Sequence, residues 1–81
     1  MITLKLLCFG ITKEMVGGFE KTIDLPEKSS VADLLVSLKT QYPELVKLNS
    51  LRVAVNEEYA EDSLVLNHRD EVVLIPPVSG G

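Results

Sequence analysis

Two stretches of this chain are apolar on both faces of an extended backbone, and no other feature limits its possible folds as strongly. Between Ile2 and Phe9, alternation separates Ile2, Leu4, Leu6 and Cys8 from Thr3, Lys5, Leu7 and Phe9. One face is therefore nearly all aliphatic, and the other becomes apolar toward the end of the segment. Glu71 to Ile75 repeats the pattern, with Val72 and Leu74 on one side and Val73 and Ile75 on the other. Strands of this kind belong at the centre of a sheet, with the protein's own core against one face and a further layer against the other.

The remaining elements fit around that pair. Ile11 to Val16 reads as a helical turn with Thr12 as its cap, stopped by Gly17 and Gly18. Phe19 to Leu25 is a second strand with Phe19, Lys21, Ile23 and Leu25 on one face, closed by Pro26. Ser30, with Asp33 three residues on, is a helix N-cap, and Val31, Leu34, Leu35 and Leu38 follow at helical spacing. Tyr42 continues that stripe and Pro43 ends the helix, since the residue before a proline avoids helical geometry. Leu45 and Leu48 are expected to tuck inward from a helical turn within Pro43 to Asn49. Leu51, Val53 and Val55 alternate with Arg52, Ala54 and Asn56 as a third strand with one buried face; Asn56-Glu57 turns the chain into a short strand over Glu58 to Ala60. The polar turn Asn67-His68-Arg69-Asp70 then precedes the last strand.

The order predicts an α+β fold, a mixed sheet of about five strands packed on one main helix, with the first and last strands adjacent, parallel and central. That is the β-grasp arrangement. It places Leu7 and Phe9 beside Val73 or Ile75 on the sheet face turned away from the helix, an apolar patch of the kind that marks a partner surface.

With 81 residues there is one core and one domain, 1–81. A net charge of -4, with Lys and Arg scattered, argues against nucleic acid and favours a basic protein partner. No apolar run approaches the roughly 20 residues that span a bilayer, and the start lacks a basic leader, so no membrane partner and a cytosolic location are expected. The lone Cys8 excludes an internal disulfide and four-cysteine iron-sulfur chemistry, and its apolar face makes it core rather than nucleophile. His68 has no second ligand beside it, and Glu57, Glu58, Glu61 and Asp62 read as a solvated face, available at most for docking, so no metal is expected. Gly17-Gly18 lacks the loop-to-helix setting of a phosphate site and is a turn.

The chemistry lies in the tail, 76–81. Pro76 and Pro77 donate no ladder hydrogen bonds and favour an extended path, so Pro76-Pro77-Val78-Ser79-Gly80-Gly81 leaves the sheet stiffly and reaches at most about 20 Å. Gly80 and Gly81 let a narrow channel close on bare backbone and leave the last carbonyl open to attack. A chance Gly-Gly ending has a probability of roughly 0.5%, which sets this tail apart from an ordinary frayed end.

This ending resembles the proline-proline-valine-x-glycine-glycine terminus of molybdopterin synthase small subunits, sulfur-carrier proteins with a ubiquitin-like β-grasp. The likeness extends through the opening strand, Lys13-Glu14, Val55-Asn56 and Asp70-Glu71-Val72. Family members often carry Arg at the place of Lys13 and aromatic residues near Leu74 and Ile75. The resemblance implies a cycle in which an ATP-dependent activating enzyme adenylates the Gly81 carboxylate, and a sulfur donor protein then supplies the sulfur of a C-terminal thiocarboxylate. A carboxylate is a poor electrophile, whereas its mixed anhydride with AMP has a good leaving group. The charged tail would enter the synthase large subunit, which supplies the catalytic groups, and pass sulfur to the cyclic pterin precursor of the molybdenum cofactor. No permanently bound cofactor is implied. The alternatives are a sulfur carrier for thiamine thiazole synthesis, a ubiquitin-like modifier that joins Gly81 to lysine amines, and a plain interaction module.

Overall fold

In the computed structural model, residues 1–48 and 51–76 are described, and they comprise β1 (Ile2–Cys8), α1 (Ile11–Val16), β2 (Glu20–Leu25), α2 (Val31–Gln41), a 3-10 helix (Pro43–Lys47), β3 (Arg52–Val55), β4 (Glu58–Tyr59) and β5 (Glu71–Ile75). The sheet order is β2-β1-β5-β3-β4. β1 and β5 run parallel in the middle, from Lys5 opposite Glu71 to Cys8 opposite Leu74. All other pairings are antiparallel. The doubly apolar segments therefore occupy the centre of a ubiquitin-like β-grasp sheet, where their patterning requires them to be.

The inner face of the sheet carries the core. Leu4, Leu6, Val53, Val55, Val72 and Leu74 join Val31, Leu34 and Leu38 of α2 and Leu45 of the 3-10 helix in one buried cluster. Each fully buried aliphatic side chain contributes about 1.5–3 kcal/mol relative to exposure, so these positions dominate stability. The start of α2 is held by a reciprocal cap: the Asp33 amide donates to Ser30 Oγ, and the Ser30 amide donates to Asp33 Oδ2 at 2.9 Å. Tyr42 closes the helix and Pro43 opens the 3-10 helix, as the proline rule requires. Asn56 and Glu57 both have positive φ, 50° and 75°, and join Val55 to its partner Glu58 in a two-residue hairpin whose left-handed centre matches strand twist.

Four details differ from expectation. The cap position of α1 is Gly10, with no side-chain cap; Thr12 is wholly buried inside the helix, and its hydroxyl donates to the Phe9 carbonyl. Phe19 lies just before β2 and is 45% exposed, because its ring turns onto Phe9 instead of entering the core. β4 ends at Tyr59, although the Ala60 amide still donates to Val53 at 2.9 Å. Ala54 is buried on the supposedly open face of β3, since this small side chain lies in register between Tyr59 and Val73.

Candidate functional site

β5 delivers the chain to Pro76, the last described residue, at the end of the sheet where β1 turns into α1. The predicted tail residues Pro77, Val78, Ser79, Gly80 and Gly81 lie outside the described residues. Of the tail, only Pro76 is located. It is half-buried, and its ring lies close to Gly10 of the β1–α1 turn.

Beside this root lies the outer sheet face. Leu7 and Val73 are register partners across the parallel pair, and both are half-buried, in contrast to the fully buried Leu6, Cys8, Val72 and Leu74 that alternate with them. Ile75 shares the parity of Val73, is also half-buried, and lies opposite Arg52. Phe9 follows β1 without belonging to it; it is 43% exposed and packs edge-on against Phe19 with ring centroids 5.0 Å apart. The structure thus brings Leu7 and Val73 together, sets Ile75 further along the same face, and places Phe9 at its margin as half of an aromatic pair.

Charges border this stripe. Lys5 faces Glu20 at 3.8 Å, and the Arg52 guanidinium stands 5.2 Å from the Tyr59 ring centroid. Both contacts are solvent-exposed and add little stability. Glu57, Glu58, Glu61 and Asp62 are all exposed along the β3–β4 side.

Cys8 is fully buried, and burial pushes its thiol pKa up, with Lys21 acting weakly in the opposite direction. A thiol in this setting is a poor nucleophile. His68 Nδ1 accepts a hydrogen bond from the Thr3 amide at 3.0 Å, a structural use of the ring. Among the described residues, every buried side-chain polar atom has a hydrogen-bond partner, and no three His, Cys, Asp or Glu side chains converge.

Two features escaped the sequence reading. One is the seat that Gly10 makes for Pro76, signalled only by a glycine directly after a strand. The other is a polar clamp at the opposite end of β5. The Asn56 side chain donates to Asp70 Oδ1 at 2.9 Å and accepts from the Glu71 amide at 3.0 Å, while Asp70 Oδ2 accepts from the Asn67 amide at 2.8 Å.

Residues 6–81 match the model of the ThiS family. The chain is 38% identical to the molybdopterin synthase sulfur carrier subunit of Arabidopsis thaliana, over 99% of this chain and 84% of that protein. Among solved structures it is similar to a putative molybdopterin converting factor subunit 1 of Pyrococcus furiosus, with a TM-score of 0.88 and 25% identity over 96% of this chain and all of that one. SAMP1, a small archaeal modifier protein of Haloferax volcanii, gives a TM-score of 0.85 and 26% identity over 98% of this chain and 99% of that one.

Proposed function

The chain belongs to the ThiS family, and from that membership we propose that it is a sulfur carrier of molybdenum cofactor biosynthesis. The observation that carries this reading is 38% identity over 99% of this chain to a protein named for that role, together with a family match that runs through Gly80 and Gly81. The fold supports it: a central strand ends at a proline beside a half-buried apolar sheet face, so a partner can grip the domain while receiving the tail.

In this reading the carboxylate of Gly81 is adenylated by an ATP-dependent activating enzyme in the cytoplasm. A hydrosulfide released by the donor attacks the acyl carbon, the bond to AMP breaks with AMP as the leaving group, and loss of the S–H proton leaves a thiocarboxylate. Leu7, Phe9, Val73 and Ile75 dock on the synthase large subunit, and the tail, rooted at Pro76, threads its end at Gly81 into that subunit's active site, where sulfur passes to the pterin precursor. The catalytic side chains belong to that partner. None of the titratable groups of this chain has to move a proton.

Likeness to SAMP1 favours a second reading, a modifier that uses the same activation and a lysine amine as acceptor. Intact mass after incubation with activating enzyme, ATP and a sulfur source separates the two. Exchange of one oxygen for sulfur at the terminus supports the carrier, and ladders of protein conjugates support the modifier. Neither product, from a protein that melts normally, rejects both. An extra residue after Gly81 should abolish sulfur loading, and undiminished loading at the new end would show that Gly81 is not special.

A further inference from the structure

The β1–α1 turn is a platform on which the tail begins. Gly10 has φ 57° and ψ -135°, a conformation open to glycine and costly for an L side chain. A methyl group on its Cα would lie 3.2 Å from Cγ of Pro76, inside the 3.5–4.0 Å of favourable carbon contact. The proline ring therefore rests against bare backbone. The platform is also held from below. The Thr12 amide and hydroxyl both donate to the Phe9 carbonyl, and the Lys13 amide donates to the Gly10 carbonyl. Thr12 is fully buried and Phe9 is braced by Phe19, so the turn has little room to yield.

We propose that Gly10 is a positioning residue, which seats Pro76 and thereby sets the direction in which the last residues leave the sheet. The inference rests on the carrier reading above. A tail aimed in advance has less freedom to lose on entering a partner's cleft, so the seat acts on productive docking and not on the chemistry at the terminus. Losing that order over one backbone residue weakens productive docking about tenfold.

Gly10→Ala, Pro76→Ala and the double variant are compared as substrates of the activating enzyme, with loading followed by intact mass and melting recorded for each. KM is expressed on the folded concentration that each melt gives, because an unfolded fraction of a substrate by itself raises apparent KM. Each single variant should then raise KM about tenfold and leave kcat unchanged. The double variant should be no worse than the more affected single one, because both changes remove one contact. An unaltered KM in either single variant, or effects that multiply in the double, overturns the proposal. If Gly10→Ala does not fold, nuclear Overhauser contacts between the Gly10 α protons and the Pro76 ring in the unaltered protein take its place. Their presence together with a raised KM for Pro76→Ala supports the seat, and any other combination overturns it. Failure of the carrier reading is distinct, since the unaltered protein would then gain no sulfur.

Discussion

Replacing Asn56 tests how the central strand is registered against the hairpin. Its side chain makes two hydrogen bonds, to Asp70 and from the Glu71 amide, and its backbone is left-handed at φ 50°. Asn56→Ala removes both bonds, each worth about 1 kcal/mol at this solvent-exposed site. It also places a less tolerant residue in the left-handed region, for about 1 kcal/mol more. The expected loss is about 3 kcal/mol, against a total of about 4–12 kcal/mol for a domain of this size. The melting temperature should fall by about 12–24 °C. Asn56→Gly keeps the backbone at ease and should be about 1 kcal/mol less damaging than Ala. Asn56→Asp sets a carboxylate against that of Asp70. It keeps an acceptor for the Glu71 amide and tolerates the left-handed backbone, so it should be less damaging than Ala at neutral pH, and its loss should shrink as acid lets one of the pair take up a proton. Urea and thermal melts followed by circular dichroism measure all three. Asn56→Ala within about 0.5 kcal/mol of the unaltered protein, or an Asp variant of full stability at neutral pH, would refute the clamp.

Other expectations concern separate links of the same chain of causes. Ser30→Ala should cost about 1 kcal/mol through loss of the α2 cap, and an unchanged urea midpoint would mean that the cap adds nothing. Leu7→Glu should weaken capture by the large subunit proposed as partner in a titration while shifting melting little, because Leu7 is only half-buried; equal loss of both would make it a folding residue. Cys8 titrates above its ordinary value of 9.0 because burial penalises the thiolate. The folded state therefore keeps its proton where the unfolded chain has lost it. This part of the stability is complete below pH 9.0 and declines as pH rises from there through the folded value. Cys8→Ala should flatten that alkaline decline in pH-dependent melts, and an identical decline in the variant would assign it elsewhere.

Much of the architecture is legible in residue order because its causes are local. Alternation in Ile2–Cys8 and Glu71–Ile75, the Ser30–Asp33 cap, Pro43 and the Asn56-Glu57 turn each act within a few residues. The apolar stripe of α2 meets the more uniformly aliphatic of the two sheet faces. The carboxyl end of Gly81 as the reactive group is likewise a reading of sequence, drawn from residues beyond those the structure describes.

What local pattern cannot express is which loops meet. Phe19 has the parity of a core residue in β2, yet it lies just before the strand, where its ring packs edge-on against Phe9 from the end of the neighbouring strand. Ala54 alternates with core residues and is nevertheless buried, since larger neighbours on two adjoining strands cover it. Asn56 meets Asp70, and Gly10 meets Pro76, only once β5 inserts between β1 and β3. Strand order and register are global properties, settled by burying every apolar face at once, and they alone create contacts between residues that share no local signal.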